Sequence, residues 1–255
     1  MIVIALQSGS NGNCIYVETG RTKLLFDAGI SGHQAEKRLA SFGRDIRRVN
    51  AVIISHDHAD HISSAGVYQR KFALPLYMTE PTLSRAMLRT RVGRLNDIRH
   101  FKAGETLLFE DMYVETVPTP HDCADGCAFV LEDSRSRCGI LTDLGNVFEE
   151  LVRIVSTLDA VLIESNYDEG LLESGPYPPF LKQRIHGDKG HISNVESAEL
   201  LSRSASPQLV WACLSHLSEL NNTPALAIEA HRGRLPERIK LITASRYGAV
   251  MLPEL

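Results

Sequence analysis

The stretch AVIISHDHADH, residues 51–61, indicates both the fold and the site. Its first four residues are apolar and mostly β-branched, which predicts a buried strand. The next seven residues include three histidines and two aspartates. From His61 onward the sequence predicts a helix, with Asp60 near its start. The side chains that could bind a metal therefore lie where a strand ends and a helix begins, and such a junction can direct several side chains at one point.

The spacing of these side chains suits two metal ions. Residues two apart point the same way in an extended segment, so His56 and His58 can bind one metal together. Asp60 and His61, at the turn into the helix, can face a second metal beside the first. Imidazole and carboxylate ligands suit Zn(II), and also Mn(II) or Fe(II). We therefore predict two divalent metal ions as cofactors, with zinc preferred.

The pattern His-x-His-x-Asp-His after a strand resembles the signature of metallo-β-lactamase-fold hydrolases. The resemblance implies an α/β fold, a four-layer αββα sandwich with the metal site where strand ends converge. No linker rich in Gly, Ser or Pro separates two halves of the chain, and strands are predicted at both of its ends. We therefore predict one metallo-β-lactamase-fold domain over residues 1–255.

Three more strand-end residues match family motifs, in the expected order. By resemblance, His121 would complete the ligands of the first metal, Asp143 would bridge both metals, and His216 would bind the second. Asp27 ends the third predicted strand and matches a family residue that supports the ligands by hydrogen bonding. The ligands implied are His56, His58 and His121 for the first metal, Asp60, His61 and His216 for the second, and Asp143 for both.

A second group of residues points to the reaction. A leaving alkoxide needs a proton, and a histidine oriented by a carboxylate can donate it. Glu164, at the end of a predicted strand, and His191, in Gly-His-Ile-Ser, resemble the Glu–His proton donor of the tRNA 3′-processing branch and its related nucleases. Asp60 is also placed to accept a proton from the attacking water. We predict Asp60, His191 and Glu164 as catalytic residues; the alternative for His191 is a helix-start histidine without a catalytic role.

The loop Ser-Gly-Ser-Asn-Gly-Asn-Cys at residues 8–14 consists largely of turn formers. It could offer backbone N–H groups and hydroxyls to a phosphate, or it could be a plain hairpin turn. Together with residues 190–194 and 214–222, it resembles the WalJ (YycJ) type of exonucleases. That resemblance implies a 5′ exonuclease acting on DNA. The predicted substrate-binding residues are Ser8, Ser10, Asn11, Asn13 and Asn194.

Two intervals between the family motifs exclude two branches of the family. Only 21 residues separate His121 from Asp143, which leaves no room for a long tRNA-gripping arm. The interval from Asp143 to His216 is predicted to hold ordinary strands and helices, without the inserted domain of β-CASP ribonucleases. Two other functions stay open. One is a small-molecule hydrolase, such as a cyclic-phosphate phosphodiesterase, lactonase or thioesterase, and the other is a non-catalytic protein that keeps its metals for structure.

The net charge of −4 gives no indication of a nucleic-acid partner, so any such indication must be local. A basic cluster lies at residues 85–102, and a shorter basic patch contains Lys182, Arg184 and Lys189. Nucleic-acid phosphate could bind the cluster, or it could be a solvated helix face. We predict nucleic acid as the partner, DNA in preference to RNA. The cluster consists of Arg85, Arg89, Arg91, Arg94, Arg99 and Lys102.

The sequence also indicates the cellular compartment of the protein. No apolar run approaches the roughly 20 residues that span a bilayer. The first residues lack the basic region of a signal peptide. The five cysteines are odd in number and scattered, which fits a reduced protein better than a disulfide framework. We therefore predict a cytoplasmic protein with no membrane partner, and leave its oligomeric state open.

Overall fold

A computed structural model describes residues 1–255, which form two seven-stranded sheets and nine α-helices. In the first sheet the strands are β1 (Ile2–Gln7), β2 (Cys14–Glu18), β3 (Lys23–Phe26), β4 (Ala51–Ile53), β5 (Leu76–Met78), β6 (Ile98–His100) and β14 (Val250–Met251). Their spatial order is β14-β1-β2-β3-β4-β5-β6. Strands β14 to β3 pair antiparallel, and β3 to β6 pair parallel.

The second sheet repeats this plan. Its strands are β7 (Thr106–Phe109), β8 (Met112–Pro118), β9 (Cys127–Glu132), β10 (Arg137–Leu141), β11 (Ala160–Glu164), β12 (Trp211–Ser215) and β13 (Lys240–Thr243). Their spatial order is β13-β12-β11-β10-β9-β8-β7. Strands β7 to β10 pair antiparallel, and β10 to β13 pair parallel. Parallel neighbours end at the same edge of a sheet, so residues that follow them are brought together.

The helices connect the strands and flank the sheets. They are α1 (Gly32–Ala40), α2 (Ala59–Ile62), α3 (Ala65–Phe72), α4 (Glu80–Arg89), α5 (Glu149–Val155), α6 (Glu169–Ser174), α7 (Pro179–His186), α8 (Asn194–Ser204) and α9 (Pro224–His231). A short 3-10 helix covers Ile46–Arg48. No helix combines the length and the apolar character that a membrane crossing requires.

Three apolar clusters show the layers. One cluster of 23 residues lies between the two sheets, where the rings of Phe26 and Phe129 are 5.0 Å apart. A cluster of 22 residues joins the first sheet to α1, α3 and α4. A cluster of 20 residues joins the second sheet to α5, α8 and α9. Three interlayer cores require four layers, which confirms the predicted αββα sandwich.

Strands β1 to β4 of the first sheet are buried on both faces. On β1, Val3 belongs to the core between the sheets, whereas Ile4 belongs to the core beneath the helices. Strands covered on both sides are expected to be apolar almost throughout. Residues 2–6 of β1, Ile-Val-Ile-Ala-Leu, follow that rule, so this strand was predictable from sequence.

Several elements differ from the sequence prediction. The sequence predicts helices over residues 33–43 and 81–93, whereas the corresponding helices α1 and α4 end at Ala40 and Arg89. Strands β5 and β6 were not predicted, because each has only three residues and depends on pairing with distant strands. Helices α6 and α7 were not predicted either. The predicted basic patch lies on the helix α7 and just after it, and none of the residues of α7 is fully buried.

Candidate metal centre

The seven predicted ligands lie in the segments that follow four strands, and they form one cluster. His56 and His58 follow β4, and Asp60 and His61 are on α2. The second sheet supplies the others: His121 follows β8, Asp143 follows β10 and His216 follows β12. The short α2 turns immediately after β4, which places four ligand-type side chains of the first sheet at one corner.

Three site residues have left-handed backbone although none is glycine. The φ angles are 65° at Asp27, 57° at Asp143 and 55° at His216. Each such conformation costs of the order of 1–3 kcal/mol and persists only where its surroundings hold it. Each residue stands directly after or close to a strand end, so the left-handed turn directs its side chain sharply out of the strand.

The first predicted ligand group is His56, His58 and His121. Nδ1 of His58 lies 3.3 Å from Nε2 of His121, and the rings of His56 and His58 are 4.6 Å apart. Nδ1 of His121 lies 2.8 Å from the Gly190 carbonyl oxygen, so this nitrogen carries the proton and donates it. Nε2 of His121 is then left with its lone pair, as a metal ligand requires. Together these three rings offer nitrogens within 4.8 Å of one another.

The second predicted ligand group is Asp60, His61 and His216. Oδ2 of Asp60 lies 3.4 Å from Nε2 of His61 and 3.5 Å from Nε2 of His216. Asp143 lies between the two groups. Its Oδ2 is 3.3 Å from Nε2 of His61, and its Oδ1 is 3.6 Å from Nε2 of His121. One carboxylate is therefore close to both groups, which is the position a bridging ligand needs.

The unsatisfied atoms of this cluster fit divalent cations. Nε2 of His56, Oδ2 of Asp143 and Nε2 of His216 are buried and have no hydrogen-bond partner in the protein. Buried polar atoms are rarely left unpaired, because each one costs free energy. A cation at the centre of the cluster would satisfy all three. The donors are nitrogens and oxygens, a set that suits zinc, manganese or iron.

The two ligand groups differ in the pKa values of their histidines. Burial lowers the pKa of His56 and of His121, so both rings are neutral and ready to bind a cation. Burial acts the same way on His61 and His216, but neighbouring carboxylates, Asp143 foremost, overcome it. They raise the pKa of His61 well above its ordinary value and that of His216 to about 10. In the second group a metal ion would therefore take the place of protons.

Asp27 contacts a ligand in the way the resemblance implied. Its Oδ2 lies 2.7 Å from Nδ1 of His61, and its Oδ1 accepts a hydrogen bond from the Ser55 backbone N–H at 2.8 Å. The first contact fixes the proton on Nδ1 of His61, so the lone pair is on Nε2, which faces the cluster and lies 3.0 Å from Nδ2 of Asn13.

Glu164 and His191 are in contact beside the cluster. Oε1 of Glu164 lies 2.7 Å from Nδ1 of His191 and 3.1 Å from Nδ1 of His216. Burial opposes ionisation of Glu164, but His191 and His216 hold its pKa well below the ordinary value. An ionised carboxylate only accepts, so His191 carries a proton on Nδ1. The His191 side chain is 19% exposed, and its Nε2 has no partner in the protein.

The predicted substrate-binding residues divide into two kinds. Ser10 and Asn11 are exposed, and Nδ2 of Asn11 donates to the Arg246 carbonyl oxygen at 3.1 Å. Ser8 is buried, and its Oγ accepts from the His216 backbone N–H at 2.9 Å. Asn13 is buried, and its Nδ2 lies 3.4 Å from Oδ2 of Asp60. The first pair can contact a substrate, whereas Ser8 and Asn13 contact the ligands.

Asn194 points away from any substrate. It is 1% exposed, and its Oδ1 accepts from Oγ of Ser165 at 2.5 Å and from Nδ2 of Asn222 at 2.9 Å. Its own Nδ2 donates to Oδ1 of Asn222 at 3.0 Å. Both ends of the amide are engaged inside the protein. We therefore assign Asn194 to the packing beneath the site instead of to substrate binding.

Sequence reasoning missed Asp122 and Gly190. Oδ1 of Asp122 is buried without a partner, 3.5 Å from Nε2 of His121 and 3.7 Å from Nε2 of His58. Its position next to His121 in the sequence could have suggested a role at the site. Gly190 offers its carbonyl to His121, and a Cβ there would lie 2.0 Å from the Ile185 carbonyl oxygen. That close approach depends on tertiary packing, so the sequence alone did not reveal it.

The basic cluster at residues 85–102 is fully at the surface. All six of its Lys and Arg residues are exposed, and they lie on α4, on the segment after it, on β6 and just beyond. Arg99 forms an ion pair with Asp97 at 3.5 Å, and none of the other five forms one. The charge of these five is therefore free to attract an anion.

Comparison with known proteins identifies a family, relatives and solved structures that this chain resembles. The model of the metallo-beta-lactamase superfamily matches residues 8–176. Exodeoxyribonuclease WalJ from Streptococcus pneumoniae is 37% identical over 225 residues, which cover 87% of this chain and 83% of that protein. Exodeoxyribonuclease YycJ from Bacillus anthracis is 33% identical over 224 residues, which cover 87% and 84%. The structure of Zn²⁺-bound PqqB from Methylobacterium extorquens shares the fold, with a TM-score of 0.77 at 16% identity over 100% of both chains.

Proposed function

The chain belongs to the metallo-β-lactamase superfamily, with the WalJ and YycJ exodeoxyribonucleases among its relatives, and on that basis we propose that it is a 5′ exonuclease that hydrolyses DNA with two divalent metal ions. The observation that carries the proposal is the contact between Glu164 and His191 beside the ligand cluster. A metal cluster alone is compatible with many hydrolases. A proton donor is needed most where the leaving group is a poor one, as in a phosphodiester.

The ligand cluster supports the metal-dependent part of the proposal. His56, His58 and His121 would hold one ion, Asp60, His61 and His216 the other, and Asp143 both. When bound, such ions lower the pKa of a water molecule to about neutral and stabilise negative charge on the phosphate. We propose zinc for both ions, with manganese or iron as the alternatives.

The chain's own residues would handle the protons. Oδ2 of Asp60 faces the ligand histidines, where it can accept a proton from the attacking water. Oε1 of Glu164 accepts the Nδ1 proton of His191 and so orients the ring. His191 can then release the proton on Nε2 to the leaving oxygen. Asp27 and Asn13 would keep the ligands oriented, and the exposed Ser10 and Asn11 would contact the strand.

Two further parts of the proposal concern partner and location. Both curated relatives are named exodeoxyribonucleases, which supports DNA in preference to RNA. All five cysteines are free thiols in the structure. Free thiols persist in reducing compartments, which supports a place in the cytoplasm.

The test is digestion of single- and double-stranded DNA and RNA, labelled at either the 5′ or the 3′ end. Each substrate is incubated with the metal-free protein, with Mn(II) and with Zn(II). We expect release of the 5′ label in short products from DNA, and only with metal. The variant Asp143→Asn is the matched control for contaminating nucleases. Products cut only at internal positions, or cleavage that persists in that variant, would count against the proposal.

A further inference from the structure

The helix α7 stands directly beside the metal centre. At its C-terminal end the Ile185 carbonyl oxygen accepts a hydrogen bond from the His191 backbone N–H at 3.0 Å. Gly190, the residue before His191, accepts in turn from His121: its carbonyl oxygen lies 2.8 Å from Nδ1 of His121. A Cβ on Gly190 would lie 2.0 Å from the Ile185 carbonyl oxygen, so only glycine permits this approach. The last turn of α7 is therefore held against a predicted metal ligand.

Although it is held so closely, α7 buries none of its residues. An amphipathic surface helix normally covers core with one face. The exposed face of α7 includes Phe180, which is 73% exposed. Its large apolar ring gains nothing in water, and such rings serve as stacking platforms in proteins that bind single-stranded nucleic acid. The helix thus presents an aromatic side chain to solvent, one turn before the residues that contact the site.

Arg184 lies one turn after Phe180, at the spacing that puts two residues on the same face. Its Nε contacts Oδ2 of Asp122, and the side chain is still 56% exposed. The two Nη groups have no partner in the protein. Asp122 in turn lies 3.5 Å from Nε2 of His121, through its Oδ1. A guanidinium with free N–H groups is therefore placed between the ligand cluster and solvent, where it can bind a phosphate at two points.

The charge around α7 favours an anionic strand. Residues 177–190 contain Lys182, Arg184 and Lys189 against one acidic residue, Asp188, although Arg184 is itself paired with Asp122 outside this stretch. Neither lysine forms an ion pair, although Nζ of Lys182 donates to the Glu173 carbonyl oxygen. Because the whole chain carries a net charge of −4, this excess is local. Such a combination of positive charge and an aromatic ring suits single-stranded nucleic acid.

We propose that α7 binds the single-stranded end of the substrate, with Arg184 on a phosphate next to the cleaved bond and Phe180 stacked on a base of the same strand. The inference rests on the proposed nuclease function and deepens it. It makes the preferred substrate a strand end that is unpaired or frayed, because a base can stack on Phe180 only when it has left the duplex. Arg184 keeps its contact with Asp122, which holds the guanidinium in place for the phosphate.

The first test measures binding. A short single-stranded DNA with phosphorothioate linkages, which resist cleavage, is titrated against wild type, Phe180→Ala and Arg184→Gln. Loss of one stacked base corresponds to roughly 5- to 150-fold weaker binding, which is the expected effect of Phe180→Ala. Arg184→Gln should weaken binding and lower the slope of log affinity against log salt by about 0.7, the value for one phosphate on a single strand.

The second test separates stacking from folding. The same affinities are measured on strands with one abasic position placed in turn at each nucleotide near the 5′ end. Wild type should lose affinity at one of these positions, whereas Phe180→Ala should be indifferent to the missing base there. The matched controls are Tyr113→Ala and Arg203→Gln, which remove an exposed aromatic ring on β8 and an exposed guanidinium on α8. Both controls should bind like wild type.

The outcomes distinguish this inference from the function on which it rests. Failure of wild type to cleave any DNA with metal present would overturn the proposed function and this inference together. Cleavage by wild type, combined with affinities of Phe180→Ala and Arg184→Gln within twofold of wild type, would overturn the inference alone. The inference would also be wrong if Phe180→Ala lost equal affinity for intact and abasic strands, because the ring would then not stack on a base.

Discussion

At the scale of single residues, the site holds backbone conformations that its residue types disfavour. His216 shows how this is stabilised: its N–H donates to Oγ of Ser8 at 2.9 Å, and its carbonyl oxygen accepts from Nδ2 of Asn166 at 2.7 Å. Both partners are buried. Hydrogen bonds inside the protein thus offset the cost of the left-handed turn and hold the imidazole toward the cluster.

A substitution of His191 best separates a loss of catalysis from a loss of metal binding. We expect His191→Ala to keep its metal content and near-native substrate binding, because its ring is proposed as a proton donor and not as a ligand. The cleavage rate of DNA should fall by roughly 10² to 10⁴, the range for loss of general-acid catalysis. Single-turnover cleavage and metal analysis of the same preparation provide the measurement.

The control for this prediction is a substrate that barely needs the proton, such as a nitrophenyl phosphodiester. On it the loss in His191→Ala should be much smaller than on DNA. An equal loss on both substrates would remove His191 from the acid role. Loss of metal in the variant would instead identify His191 as a ligand.

Metal stoichiometry should depend unevenly on the ligands. Wild type should bind two ions per chain after mild reconstitution. We expect His216→Ala to lose mainly the second ion, since His216 contacts Asp60 on that side of the cluster. Asp143→Asn should weaken both, because Asp143 approaches His61 and His121 alike. Elemental analysis checks this, and a wild-type stoichiometry near zero would contradict the two-metal assignment.

At the scale of elements, α4 and the segment after it present positive charge that no acidic partner neutralises. Arg89 ends α4 and Arg91 follows it, both exposed and without an ion pair. If this surface binds DNA, the double charge reversal Arg89→Glu with Arg91→Glu should weaken affinity for long DNA. It should also flatten the salt dependence, by about 0.9 in the log–log slope for each duplex phosphate that the variant no longer neutralises.

A matched control has a similar pair of arginines elsewhere in the chain. Arg232 and Arg234 are exposed and lie after α9, with Arg232 paired to Glu229 at 3.3 Å, and their reversal to Glu changes the net charge by the same amount. Binding that is measured across a salt series should respond to the first pair more than to the second. If both double variants keep the wild-type salt slope, the surface around α4 is only a solvated face.

At the scale of the whole molecule, the metal centre joins the two sheets. His56, His58, Asp60 and His61 belong to the first half of the sandwich, and the other ligands to the second. A ligand that binds only the folded protein stabilises it by about 2.7 kcal/mol when its free concentration is 100 times its Kd. For a chain of this size, that corresponds to roughly 5–10 °C in Tm for each ion.

Chelation should therefore lower the Tm of the reconstituted protein by at least that amount, as measured by calorimetry before and after metal removal. Adding metal back should restore the original value. Asp143→Asn should show a smaller shift, because the carboxylate that approaches both ligand groups has lost its charge. An unchanged Tm after verified metal removal would mean that the ions do not contribute to the stability of the sandwich.

Single strands and the motif at residues 56–61 could be predicted from the local sequence, whereas the four layers and the ligands His121, Asp143 and His216 were implied by the resemblance to a known family. Strands buried on both faces are apolar runs, such as residues 2–6, so most of them could be located from the sequence. The ligands stand directly after these strands, where a short motif such as residues 56–61 is visible in the sequence. Both signals are local, because they depend on neighbouring side chains and on the two-residue period of a strand.

The direction of the loop side chains and the position of α7 emerged only from the folded chain. Ser8 and Asn194 were predicted to contact substrate, but they turn inward because His216 and Asn222, distant in the chain, offer hydrogen-bond partners there. The helix α7 was not predicted, and none of its residues is fully buried, so the apolar signal in its sequence is weak. Its place beside His121 depends on Gly190, where two backbone segments approach more closely than any side chain would allow, and such contacts between distant residues leave no local pattern.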